Sequence, residues 1–191
     1  MAEVVISNGA IQVAEASEDS VEALVREHAR LVHRITYSVL RNRHDAEDAT
    51  QETFVRLLRS KQRLATVRDQ KAWLARIAWR VAIERGRTRP EISLSDAEIN
   101  SAISQLRSQL TSAEESTIGN EMTALLESLI SSLPDSLRDA IRLSTVEELT
   151  TGEMAQVLRT SEASVRSRIF RARQILKQKL AGLEGGYGIP R

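Results

Sequence analysis

Ser164, Arg166, Ser167, Arg168, Arg171 and Gln174 carry the chemistry most easily read in this chain. Ser164, Ser167, Arg171 and Gln174 fall on one side of a helical wheel, flanked by Arg166, Arg168 and Arg173. Arginine reads guanine edges and holds phosphates, while serine and glutamine read base edges or position the backbone. Val165, Ile169, Ala172 and Leu176 recur at spacings of four, three and four on the opposite side, so a helix with a buried stripe must present the polar set. Just upstream, Thr150 and Glu153 form a T-x-x-E capping box that opens a shorter helix with Met154, Ala155 and Leu158 apolar. Thr160-Ser161 breaks the pattern, and Ser161 can cap the second helix. A short bracing helix, a tight turn and a basic second helix suit a major groove.

Two other clusters are distinctive. Asp45, Asp48, Gln51 and Glu52 share a face of a helix in an otherwise basic stretch. Such a face suits a protein with a basic surface better than it suits DNA. Further on, Arg76, Trp79, Arg80, Ile83 and Arg87 point away from the stripe Leu74, Ile77, Ala78 and Val81. Arginines beside an exposed aromatic suit a single strand or a melting duplex, through phosphate contact and base stacking. Trp73 is expected to pack, whereas Trp79 is as well placed to stack as to pack.

Composition frames these clusters. The 191 residues include no cysteine, so disulfides, thiolate metal sites and a cysteine nucleophile are excluded. No metal-ligand spacing, glycine-rich phosphate loop or nucleophile–base pair is visible, and no cofactor, metal site or enzymatic activity is expected. No apolar run approaches the ~18 residues of a membrane span. The net charge of +1 hides a pattern: residues 19–90 carry +7, residues 91–127 carry −6 and residues 128–183 carry +3. Two basic blocks around an acidic one suggest two modules facing nucleic acid and a connection that does not.

The expected fold is all-α: two small helical domains joined by a flexible linker, the C-terminal one carrying the helix-turn-helix. Residues 1–18 read as a flexible tail, 19–90 as the first domain, 91–119 as the acidic linker, 120–183 as the second domain and 184–191 as a loose glycine-rich tail. In the first domain, one helix runs from about Glu22 to Leu40, with Leu24, Leu31, Ile35 and Val39 inward. A second is capped by Asp45, with Phe54, Leu57 and Leu58 apolar. A third runs from about Asp69 to Arg85 and ends over Gly86 to Pro90. Weak periodicity at Ile99, Ile103, Leu106 and Leu110 would fit an amphipathic helix in the linker.

The order of the motifs resembles the extracytoplasmic-function class of bacterial sigma factors. DAEDATQETFVRLLR (Asp45 to Arg59) resembles the polymerase-binding segment of that family. WLARIAWRVAIERGR (Trp73 to Arg87) resembles its −10-reading helix, and the segment from Leu133 to Leu176 resembles its −35-reading domain. The resemblance implies a non-catalytic, cytoplasmic specificity subunit. Asp45, Asp48, Gln51 and Glu52 would bind the clamp helices of the largest subunit of core RNA polymerase. Arg76, Trp79, Arg80 and Arg87 would contact the −10 element of promoter DNA, with a flipped base held beneath the loop from Leu64 to Lys71. Ser164, Arg166, Ser167, Arg168, Arg171 and Gln174 would contact the −35 element. It also implies an anti-sigma factor as a partner. The chain departs from the family pattern at Arg80, often asparagine, and at Asp69-Gln70, where a phenylalanine is usual. It departs again at Glu148 and Arg159, where glycines are common. A simple dimeric helix-turn-helix regulator and a sigma mimic that titrates an anti-sigma protein are the alternatives.

Overall fold

A computed structural model describes residues 5–87 and 115–184, with side chains described for residues 20–64, 66–87 and 122–181. Among the described residues the fold is all-α: seven α-helices, one 3-10 helix and no strand. They are α1 (Val5–Leu40), α2 (Arg43–Arg59), the 3-10 helix Lys61–Thr66, α3 (Gln70–Arg87), α4 (Glu115–Ser131), α5 (Asp135–Ser144), α6 (Thr151–Leu158) and α7 (Glu162–Glu184).

The chain forms two compact units. One joins residues 1–89 to residues 142–162, and the other joins residues 90–141 to residues 163–191. In the first unit α1, α2 and α3 pack on one another, and α6 packs on α3. Leu24, Leu31, Ile35 and Val39 of α1 meet Leu57 of α2 and Leu74, Ala78 and Val81 of α3 in a core with almost no solvent access. Ala46 and Ala49 bring α2 close to α1, because small side chains permit near approach of backbones. The closeness is used: Thr36 Oγ1 lies 3.1 Å from Ala46 O and 3.1 Å from Thr50 Oγ1. The buried hydroxyl is therefore satisfied, as burial requires. In the second unit Leu133, Leu137 and Ile141 pack with Ala172, and Ile130, Ile169, Ile175 and Leu176 close around them. This is the stripe expected of α7.

Several boundaries differ from expectation. The first helix begins at Val5, not near Glu22. The added turns contain Ala, Glu and Gln and no proline, and extending an existing helix costs far less than nucleating one. Asn42, not Asp45, caps α2, and its side chain accepts a hydrogen bond from Asp45 N at 3.0 Å. Asp45 thus sits inside the first turn, where its charge meets the positive end of the helix dipole. Leu58, one of the three apolar residues read on the second helix, is exposed. Helix α3 continues through Gly86 to Arg87. Pro134 precedes α5, its carbonyl accepting from Leu137 N and Arg138 N. The expected linker lies outside the described residues up to residue 114, and α4 begins within its last few positions.

Helix α6 closes with Arg159 at φ 51°, in the left-handed region. Arg159 N donates to Gln156 O and Thr160 N to Ala155 O, the paired bonds of a Schellman motif. Glycine normally occupies that position because a Cβ there costs about 1 kcal/mol or more. Arg159→Gly is expected to raise stability by about 0.5 kcal/mol, after allowing for the greater freedom of glycine in the unfolded chain. Thermal melting checks this, and a lower melting temperature would show that the arginine side chain contributes more than its backbone strain costs.

Candidate nucleic-acid interface and partner face

Helix α6 starts with the anticipated capping box. Glu153 N donates to Thr150 Oγ1 at 3.2 Å, and Thr150 N donates to Glu153 Oε2 at 2.7 Å. Met154, Ala155 and Val157 are buried. After the Arg159 turn, Ser161 stands at the N-cap position of α7. Val165 and Ala172 are fully buried, which turns Arg166, Ser167, Arg171, Arg173 and Gln174 to solvent. Ser164 and Arg168 are half-buried at the edges of that face. The sequence reading overlooked Phe170, which is 63% exposed in the middle of it. Its signal was an apolar residue outside the buried stripe, one turn from Arg166 and from Gln174. An exposed ring among arginines can meet a thymine methyl group in a major groove.

On α3, Arg80 and Arg87 are exposed and Arg76 is half-buried. Of the two tryptophans, the one left open between stacking and packing proves to pack, and the one expected to pack is only half-buried. Trp79 is only 6% exposed and belongs to the core, so it cannot stack on a base in this arrangement. Trp73 is half-buried and lines a surface cavity of about 820 Å³ with Val67, Arg68, Asp69, Gln70, Lys71, Ala72, Arg76 and Gln156. The physical reason is the width of the apolar sector. Ala75, Ala78 and Ala82 bring the α3 backbone so close to its neighbours that Trp79, beside them on the wheel, is enclosed too. Asp69 holds the entry to α3, accepting from Ala72 N at 2.9 Å. The cavity therefore lies over the first turn of α3, next to the loop singled out from sequence.

The acidic face on α2 is not free charge. Arg85 Nε lies 2.8 Å from Glu52 Oε2, and Arg85 Nη1 lies 3.6 Å from Asp48 Oδ2. Glu52 Oε1 also pairs with Arg56 at 2.5 Å, and Arg56 reaches Glu84 at 2.8 Å. The network ties α2 to α3, so Glu52 and Asp48 serve the fold at least as directly as they can serve a partner. The Arg85 hydrogen bond, together with Arg56 and against partial burial, holds the Glu52 carboxyl below its usual value. A lowered carboxyl stabilises the fold fully above the unfolded value of about 4.5 and loses that contribution as pH falls through the lower folded value. Glu52→Gln is therefore expected to flatten the acid limb of stability below about pH 4.5, and melting curves across that range check it. An unchanged acid limb would show that other carboxylates dominate it.

The exposed part of the α2 face is different. Gln51, Val55 and Leu58 follow one another at spacings of four and three, with Val55 44% and Leu58 53% exposed. Asp45 and Asp48 are half-buried beside this row. An apolar pair bordered by polar groups is the usual make-up of a protein-binding patch. Sequence reasoning missed its centre because it grouped Leu58 with Phe54 and Leu57 as apolar residues without separating the exposed ones from the buried one.

Among the described residues no group of three His, Asp or Glu side chains could hold a metal ion, and no helix is long and apolar enough to cross a membrane.

Comparison with known proteins agrees with this layout. Residues 24–90 match the family model of sigma-70 region 2, and residues 123–176 match that of sigma-70 region 4. The chain is 35% identical over 171 residues to the ECF RNA polymerase sigma factor SigE of Mycolicibacterium smegmatis, covering 87% of this chain and 64% of that protein. It is 28% identical over 186 residues to the ECF RNA polymerase sigma factor SigW of Bacillus subtilis, covering 95% of this chain and all of that one. It is 33% identical over 163 residues to the RNA polymerase sigma-H factor of Pseudomonas aeruginosa, covering 79% and 82%. Among solved structures, CnrH in complex with the cytosolic domain of CnrY shares the fold, with a TM-score of 0.59 and 22% identity over 90% of this chain and 96% of that one. Both matched regions occur in the order in which the two basic modules were read, so the chain belongs to the extracytoplasmic-function sigma factors of the sigma-70 family.

Proposed function

We propose that this chain is an alternative sigma factor that recruits core RNA polymerase to particular promoters, reads the −35 element with α7 and meets the melted −10 strand with α3. The solvent-facing row Arg166, Ser167, Phe170, Arg171 and Gln174, set on a helix whose other side is buried, carries this reading. Residues 19–90 act as the −10 module and residues 120–183 as the −35 module, joined by residues 91–119. Gln51, Val55 and Leu58 meet the clamp helices of the largest polymerase subunit, with Asp45, Asp48 and Glu52 at the rim. An anti-sigma protein covers these faces when the factor is idle. Two proteins of the same fold were solved in complexes, CnrH with the cytosolic domain of CnrY and the sigma factor RpoE with the anti-sigma factor NepR from Bartonella quintana, which supports such a partner here.

Reconstituted transcription with core polymerase on a promoter library tests the proposal. Defined transcripts should appear only when the chain is added. Arg171→Ala should cost about 1–3 kcal/mol of discrimination at one −35 position and leave −10 preference unchanged. Phe170→Ala should reduce selection of thymine at a neighbouring position. Tight sequence-specific duplex binding by the chain alone, at about 10⁻⁸ M or better, would instead identify a simple regulator.

A further inference from the structure

Beside the C-terminal end of α1 lies a second surface cavity, of about 460 Å³, formed by residues of α1 and of the segment 145–147. Neither the proposed promoter-reading faces nor the apolar row of α2 uses it. Its size suits a small organic molecule, whose sites run from about 300 to 1,000 Å³. His33 and Tyr37, one turn apart, hold their rings nearly parallel, with 14° between planes and 6.2 Å between centroids. Tyr37 is 41% exposed, so its ring stays open to a planar partner. Arg34 and Arg41 line the same cavity. Arg34 pairs with Glu148 Oε2 through Nη1 at 3.0 Å, which uses one of the five N–H donors of a guanidinium. Glu147, also in the lining, is exposed and has no ion-pair or hydrogen-bond partner among the described residues.

Arg41 is informative through its backbone. It closes α1 at φ 50°, in the left-handed region, with its N donating to Tyr37 O at 3.0 Å. Glycine takes that conformation without strain, and strained residues gather at ligand clamps. An open ring, two guanidiniums and an unpaired carboxylate suit a ligand with a planar face, an anionic group and N–H donors in its plane. A nucleotide has all three. Guanine alone among the bases sets two adjacent donors, N1–H and the 2-amino group, against the two oxygens of one carboxylate. Adenine and cytosine put a bare ring nitrogen beside their amino group, and uracil flanks its single imide N–H with carbonyls, so each would meet the carboxylate with a lone pair.

We propose that this cavity binds a guanine nucleotide, with the base on Tyr37, its N1 and 2-amino donors on Glu147 and its phosphate on Arg41 and Arg34. The contacts are the same for a free nucleotide and for a guanine within a single strand.

Calorimetric titration of the full-length chain with guanosine monophosphate (GMP) should give a Kd of about 10⁻⁵ M. Adenosine and uridine monophosphates, guanosine and inorganic phosphate should each bind about tenfold more weakly or worse. Tyr37→Ala and Arg41→Gly should each weaken GMP about tenfold. Arg41→Gly relieves the left-handed strain, so it should melt no lower than wild type while losing affinity, which separates binding from folding. Glu147→Gln should erase the preference for GMP over adenosine monophosphate. Hydrogen exchange should show residues 33–41 and 145–148 gaining protection when GMP is added. An oligothymidylate of about 12 nucleotides with one central guanine distinguishes the sources: it displaces GMP more effectively than GMP itself if a strand is the ligand, and less effectively if a free nucleotide is. The proposal is overturned by no GMP binding up to about 10⁻³ M, by equal binding of the three monophosphates, or by wild-type affinity in both Tyr37→Ala and Arg41→Gly. Should Tyr37→Ala fail to fold in a melting check, Arg41→Gly and Glu147→Gln decide.

Discussion

Val55→Glu combined with Leu58→Glu abolishes capture of the chain by core RNA polymerase and moves its melting temperature by only a few degrees. Both side chains are about half exposed, so their replacement removes little from the core. They are the apolar centre of the row that begins with Gln51, and buried apolar anchors at the centre of an interface typically contribute 2 kcal/mol or more each. Two carboxylates brought into a desolvated contact would cost further, giving a loss of roughly a thousandfold. Reversing Asp48 and Glu52 is a less informative experiment, because Arg85 and Arg56 depend on them within the fold. A pull-down with purified core polymerase, paired with a melting curve, provides the test. Wild-type capture by the double variant would remove α2 as the polymerase face.

Trp79→Ala lowers the melting temperature by about 10 °C or more, whereas Trp73→Ala leaves the fold nearly unchanged and weakens single-strand binding. Trp79 is enclosed among Ala75, Ala78, Val81 and Ala82, and emptying a tryptophan site in a packed core typically costs 3–5 kcal/mol. Trp73 is half-buried at the cavity, where stacking on a base contributes about 1–3 kcal/mol. Melting curves and anisotropy on the same two proteins settle the assignment. If Trp79→Ala melts within about 3 °C of wild type and loses strand binding, the roles are the reverse of those the structure indicates.

Much of the chain was legible because local rules suffice for it. The Thr150–Glu153 capping box depends on four consecutive residues, and it forms as read. The Val165, Ile169, Ala172 and Leu176 stripe depends only on helical period, and it is the inward side of α7. The stripe of α1 is legible for the same reason: Leu24, Leu31, Ile35 and Val39 are all buried. A period specifies which residues share a side, and burying the apolar side determines what the other side shows.

Tertiary structure decided what a single helix cannot. Trp79 is buried because neighbouring alanines allow other elements to approach, and the width of a buried sector depends on those neighbours. Leu58 is exposed for the complementary reason, that no described element covers that side of α2. Glu52 and Asp48 read as a free acidic face until α3 brings Arg85 against them from 33 and 37 positions away in the chain. The contact of Lys71 with Glu153 and Glu148 spans a still greater separation, and neither side carries a local mark of the other. Sequence by itself determined the helices, their inward sides and the order of two basic modules, because propensity, capping and period act over a few residues. Which charges are answered, which aromatic is enclosed and which helix packs on α3 depend on distances between elements, and only the folded chain sets those.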